Sequence, residues 1–247
     1  MAIQQRKTKS GVSNRRGVAI ENAYTLIKHL IYYNLLAPGQ KIIYGDISRR
    51  LNTSTTPVMQ ALNRLEASGF VTYVPNQGYF VGEITMDETL ELFEAREAME
   101  TCLIPRIIEK ITRHDIEQIK QVFRQYGGDA VGGLNRKLIM VDAKFHLRLA
   151  KYADNRVIFN ILQDVFEKLY LKYRPEYLNP MEVREVTSER RRILGALGRG
   201  DAQTVVETNH KHIAASLERI TSALRQREEI GLYPFSGAPR TGRNKAI

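Results

Sequence analysis

Between Asp46 and Val81 the chain reads DISRRLNTSTTPVMQALNRLEASGFVTYVPNQGYFV, and this order of signals leaves few folds open. A short helical segment starts near Asp46 and ends at Leu51. Asn52, Thr53 and Ser54 then form a turn rich in capping side chains, where Ser54 or Thr55 can accept a first-turn N–H. Pro57 suits the first turn of the next helix, because the N–H it lacks would have no intrahelical partner there. That helix sets Val58, Ala61, Leu62 and Leu65 on one face and stops near Gly69. Two β-rich runs follow, Phe70–Val74 and Tyr79–Ile84, joined by the turn chemistry of PNQG. Upstream, Ile20, Ala23, Leu26, Ile27, Leu30 and Ile31 recur at steps of three and four, and APGQ ends that helix.

Helix, helix, turn, helix and a two-stranded wing is the order of a winged helix-turn-helix. Such a unit can put the N-terminus of its last helix into a DNA major groove, where short polar side chains let the backbone approach. Here those side chains are Ser54, Thr55 and Thr56, followed by Met59, Gln60 and Asn63. Gln60 and Asn63 can hydrogen-bond base edges, and Met59 can touch a thymine methyl. The wing tip, Asn76-Gln77-Gly78, can lie in the minor groove. A small helix-plus-hairpin module can also serve only as a scaffold or a protein contact. Charge separates the two. Residues 1–82 carry a net +7 and the rest of the chain +3, within a total of +10. The pull on a polyanion therefore sits in the first third. Arg15, Arg16, Arg49, Arg50 and Arg64 are the expected phosphate contacts.

Residues 1–17 are polar and basic and are expected to form a flexible arm. The winged unit is expected over 18–84. After Thr85 the texture changes, and helical periodicity runs through 86–111, 113–126, 134–153, 155–174, 182–199 and 201–226. Asp87 and Asp201 have the character of caps or first-turn acids. The expected fold is mainly α: a winged helix-turn-helix followed by an all-α bundle of six to seven helices over 86–228. Residues 229–247 are expected to be a disordered tail. A single cysteine, Cys102, excludes an intrachain disulfide and fits a reducing cytoplasm. No apolar run follows the basic N-terminus, so a secretory signal is not expected, and no window approaches a membrane span.

The segment PGQKIIYGDISRRLNTSTTPVMQALNRLEASGFVTYVPNQGYFV resembles the DNA-binding domain of the GntR family of bacterial transcription regulators. The matching positions are Pro38-Gly39, Leu51, Ser54, Pro57-Val58, Ala61-Leu62, Leu65-Glu66, Gly69 and Gly78 before Phe80-Val81. The family usually carries arginines where this chain has Thr55 and Met59, and often a basic residue at Gly45. The resemblance therefore implies the fold but a less guanine-dependent operator. Residues 87–225 resemble the family's FCD effector domain, on LFEAREAMET, DAKFHLRLAKYADNRVI and RRRILGALGRGDAQTVVETNHKHI.

Asp142 and His146 are four apart and share one helix face, a spacing that can present an oxygen and an imidazole to one metal ion. In the family two further histidines complete such a site. His212 matches one, and Arg190 stands where the other is expected. Two readings stay open. Asp142, His146 and His212 can hold a zinc-like divalent ion, with water or effector oxygen in the remaining positions. Alternatively Arg190, a fixed cation that does not ligate metals, grips an anionic effector without a metal and pairs with Asp142 in the empty pocket. A plainer arrangement, an intrahelical Asp142–His146 pair with His212 facing solvent, also fits the spacing. Arg96 falls where the resemblance implies a pocket arginine, although a helical arginine is commonly a solvated surface residue.

The expected function is a cytoplasmic, homodimeric repressor on a pseudo-palindromic DNA site, released by a small carboxylate-bearing effector. A metal-dependent hydrolase and a ligand-free architectural DNA-binding protein are the competing classes. The first lacks an accompanying acid–base pair, phosphate loop or nucleophile elbow, so no enzyme is expected. The second leaves the polar groups of the helical domain without a purpose.

Overall fold

A computed structural model of the chain describes residues 7–128, 135–172 and 182–229. The backbone divides into two compact units, one running up to Glu83 and the other beginning at Ile84. Among the described residues there are nine helices and one two-stranded sheet.

The first unit is built from α1 (Lys7–Tyr32), α2 (Tyr44–Arg50), α3 (Thr55–Ala67), β1 (Val71–Val74) and β2 (Gly78–Val81). Ala23, Ile27, Leu30 and Ile31 form the buried stripe of α1, which packs on the buried Val58, Ala61, Leu62 and Leu65 of α3. Each aliphatic side chain taken fully from water contributes about 1.5–3 kcal/mol, so this seam holds the unit together. Ser54 occupies the N-cap of α3 with extended backbone, but its side chain makes no cap hydrogen bond. Gly69 ends the helix with φ +76°, donating its N–H to the Glu66 carbonyl at 2.8 Å. β1 and β2 run antiparallel, with Val71 opposite Val81 and Val74 opposite Gly78. Segment 40–42 lies along β2, where Ile42 donates to the Tyr79 carbonyl at 2.8 Å and Val81 to that of Gln40 at 2.9 Å.

Of the arm expected over residues 1–17, the part from Lys7 on lies within α1. Residues 1–6 lie outside the described residues. No proline interrupts the segment, and a helix nucleated over the apolar stripe extends at one hydrogen bond per added residue.

The second unit consists, among the described residues, of α4 (Met86–Lys110), α5 (Arg113–Gly128), α6 (Asn135–Tyr152), α7 (Arg156–Lys172), α8 (Glu182–Arg199) and α9 (Ala202–Glu229). The Thr85 hydroxyl caps α4 by accepting the Glu88 N–H at 3.2 Å, with Asp87 in the first turn. Asp201 caps α9, its Oδ1 accepting the Thr204 N–H at 3.0 Å. Leu103, Phe145, Leu162, Ile193, Leu197 and Val205 bring α4, α6, α7, α8 and α9 onto one core. No described helix is long and apolar enough to cross a membrane. From residue 230 on, the expected tail lies outside the described residues.

Candidate functional site

The outward face of α3 follows from its inward one. With Val58, Ala61, Leu62 and Leu65 buried, the 3.6-residue period turns Thr55, Thr56 and Asn63 away from the core and leaves Met59 and Gln60 at its edge. Ser54, Thr55, Thr56 and Asn63 are exposed, while Met59 and Gln60 are half-buried, and the Gln60 Oε1 is buried without a hydrogen-bond partner among the described residues. The Asn63 Oδ1 accepts a hydrogen bond from the Tyr79 hydroxyl. Arg64 turns toward α1, where its Nη1 lies 2.8 Å from Glu21 Oε2 and its guanidinium sits 4.4 Å from the Tyr24 ring centroid. Arg49 pairs with Asp46 on its own helix, and Arg50 and Arg16 are exposed. The Arg15 side chain lies outside the described residues. At the wing tip Asn76 (φ +61°) and Gln77 are exposed, and Gly78 takes φ +99°, where a side chain would be strained.

In the helical unit four helices send charged groups to one point. Asp142 and His146 come from α6, His212 from α9, Arg190 from α8, and Arg96 with Glu100 from α4. His146 is 4% exposed and His212 1%, which sets aside a solvent-facing His212. The Nε2 atoms of His146 and His212 lie 3.6 and 3.3 Å from Asp142 Oδ1. Arg190 Nη2 lies 2.8 Å from the same oxygen, and Arg96 Nη2 is 3.4 Å from Asp142 Oδ2. The two imidazoles stack with centroids 5.0 Å apart and planes inclined by 18°.

Both imidazoles are held from behind. His146 Nδ1 lies 2.7 Å from Glu100 Oε2, and His212 Nδ1 lies 2.7 Å from Glu189 Oε2. An ionised carboxylate can only accept, so each Nδ1 carries the proton. In the neutral ring each Nε2 then offers a lone pair toward Asp142. Among the described residues His146 Nε2 is buried without a hydrogen-bond partner. Burial alone would raise the Glu100 carboxyl, but His146 and Arg96 outweigh it and hold the group down at about 2. Asp142 is likewise held well below the usual carboxylate range: burial opposes this, and His212, His146 and Arg190 overcome it. For His212, burial disfavours the charged ring, yet the Asp142 charge and the hydrogen bonds to Asp142 and Glu189 carry its pKa above the ordinary value.

This donor set fits a divalent ion. Asp142, His146 and His212 each offer a ligand atom, and these atoms lie within 4.8 Å of one another. Carboxylates on both Nδ1 atoms are the outer-shell partners a metal-bound histidine requires. The same point also carries two guanidiniums, which oppose a second positive charge. Arg190 Nε is buried with no hydrogen-bond partner among the described residues, an open donor beside the cluster. A cavity borders His146, Glu100 and Asn209 and is otherwise apolar, with Leu103, Leu149 and Leu197 among its walls.

Two family models match the chain. One, described as bacterial regulatory proteins of the gntR family, covers residues 19–81. The other, the FCD domain, covers residues 91–215, just over half of the chain. The chain belongs to the GntR family, FCD group. It is a DNA-binding transcription regulator of the ligand-responsive kind. The HTH-type transcriptional regulator McbR of Escherichia coli K12 is 27% identical over 183 residues, covering 72% of this chain and 81% of McbR. The HTH-type transcriptional repressor RspR of the same organism is 23% identical over 210 residues, covering 83% of this chain and 89% of RspR. Among solved structures, E. coli McbR/YncC shares the fold with a TM-score of 0.70 at 21% identity, covering 85% of this chain and 98% of that one.

Within this GntR-family chain, residue-by-residue reading missed Glu100, Glu189, Asn209 and Tyr79. Glu100 accepts from Arg96 Nε at 2.7 Å and from Asn209 Nδ2 at 3.0 Å as well as facing His146. The available signal was the Arg96–Glu100 spacing of four, which on a helix ordinarily means a solvated pair. Glu189 directly precedes Arg190 and carried no signal of its own.

Proposed function

We propose that this regulator is a cytoplasmic homodimeric repressor, not an enzyme, and that a small organic acid bound in its helical domain releases it from a pseudo-palindromic operator. One observation carries the effector class: Arg190 Nη2 lies 2.8 Å from Asp142 Oδ1 while the neighbouring Nε of Arg190 is buried without a hydrogen-bond partner among the described residues. An incoming carboxylate can take the guanidinium in a charge-assisted grip and displace Asp142 from it. Binding must favour one arrangement of the two DNA-reading heads over another, since equal affinity for both would shift nothing. Arg16, Arg50, Thr55, Thr56, Gln60, Asn63 and the wing tip Asn76-Gln77-Gly78 are the proposed DNA contacts.

A second reading rests on the pinned Nδ1 atoms: Asp142, His146 and His212 hold a zinc-like divalent ion. Such an ion would supply positive charge for an effector oxygen.

The experiment is calorimetric titration of zinc and of a panel of small organic acids, paired with operator binding and light scattering. An acid that binds and abolishes operator binding by a dimer supports the proposal. A monomer that grips a single half-site, or acids without effect on DNA binding, overturns it.

A further inference from the structure

Tyr79 is 4% exposed, and its hydroxyl reaches across from β2 to Asn63 on α3. Among the described residues that hydroxyl has one hydrogen-bond partner, the Asn63 side chain. A phenol is a neutral O–H near pH 7, and a buried donor left without an acceptor is costly. If Asn63 turned its Nδ2 to the ring, the phenol proton would lose its one acceptor among the described residues. The amide is therefore fixed with Oδ1 toward the wing, and its Nδ2 points away from it.

Asn63 is exposed on the outward face of α3, one turn beyond Met59 and Gln60. An unrestrained asparagine reads adenine by setting Oδ1 and Nδ2 side by side, accepting from N6 and donating to N7. With one Oδ1 lone pair held at Tyr79, rotating the amide into that pose costs the bond to the phenol. What remains outward are two N–H donors. Guanine presents two adjacent acceptors, O6 and N7, to such a group.

We propose that Tyr79 makes Asn63 a donor-only base reader, so that the wing sets the recognition helix to prefer a guanine edge over adenine at the position Asn63 meets. This rests on the reading that the outward face of α3 enters the major groove. Tyr79 touches no base itself and is a positioning residue.

The test is in vitro selection from a randomised duplex DNA library with the full chain, its Tyr79→Phe, Asn63→Ala and Asn63→Asp variants, and sequencing of the retained sites. The wild type is expected to favour guanine at one symmetry-related pair of positions. Tyr79→Phe is expected to shift that position toward adenine by roughly fivefold or more. Its binding to random DNA should stay unchanged. Asn63→Ala should flatten the position. Asn63→Asp keeps the acceptor for Tyr79 and deletes the donors, so it should lose the guanine preference even if Tyr79→Phe does not fold. A flattened Asn63→Ala profile with an unaltered Tyr79→Phe profile overturns the proposal, as does guanine preference persisting in Asn63→Asp. An Asn63→Ala profile equal to wild type removes the groove reading beneath it.

Discussion

Arg190 and Asp142 form an ion pair across the helical bundle, Nη2 to Oδ1 at 2.8 Å, between α8 and α6. The resemblance read from the sequence implies a metal ligand at the position Arg190 holds. Replacing a neutral donor with a permanent cation changes what the site attracts.

Arg190→Ala should therefore weaken binding of an acid effector by about 1.5–3 kcal/mol, the worth of a hydrogen bond to a charged group. Arg190→His should raise zinc affinity by restoring a fourth ligand and removing a repelling charge. Calorimetry on both variants reads the two effects separately. Effector binding untouched by the first and zinc binding untouched by the second would place Arg190 outside the site.

Glu189 orients His212 through a 2.7 Å contact to Nδ1. Deleting it in Glu189→Ala lets the imidazole turn and change tautomer. Zinc affinity should fall about 10- to 100-fold, the usual cost of losing an outer-shell partner. Competition against a chromophoric chelator measures it, and DNA binding without zinc should not move. Equal affinities for variant and wild type would leave Glu189 a bystander.

Acid should destabilise the helical unit through Glu100. Its folded pKa, about 2, lies below the ordinary 4.5, so the unfolded chain takes up the proton first. The stabilisation is complete above the ordinary value and is lost as pH falls toward 2. Its size is on the order of 3 kcal/mol. Asp142, also held well below the usual carboxylate range, adds to the loss. Glu100→Gln should melt earlier at neutral pH, because Arg96 keeps a buried charge with less to balance it. The variant should also show a flatter acid limb. Melting curves of the two proteins that fall in parallel between pH 5 and pH 2 would count against this account.

DNA binding should weaken steeply with salt, since each phosphate contact releases condensed counterion. Arg50→Ala is expected to reduce the slope of log K against log salt by about one. Arg64→Ala should reduce it less, because Glu21 already faces that guanidinium at 2.8 Å. Fluorescence anisotropy over a salt series gives both slopes, and a larger loss for Arg64 than for Arg50 contradicts the assignment.

What was legible in the sequence was local. The turn at Asn52–Ser54, the stop at Gly69 and the wing turn at Asn76–Gly78 are set by residues within a few positions of one another. Asp142 and His146 were readable as a pair because one helical turn separates them. Glu100 was not, since two of its partners, His146 and Asn209, lie far along the chain and only folding joins them. The Asn63–Tyr79 contact escaped for the same reason, as nothing in a strand tyrosine announces which helix it meets. The polar start of α1 has no apolar stripe to read, and its helix was missed on that account.

α4 begins at Met86, three residues after the DNA-reading unit ends at Glu83. Its first turn is tied down by Lys172, whose Nζ lies 2.7 Å from Glu88 Oε1. Arg96 and Glu100, further along the same rod, grip Asp142 and His146. At 1.5 Å per residue, Glu88 and Arg96 stand about 12 Å apart on the strut. A helix braced at two points does not bend between them at small cost. Strain placed on the Asp142 end is thus passed along α4 to its first turn, and a proline inserted between the two braces would break that path while sparing each.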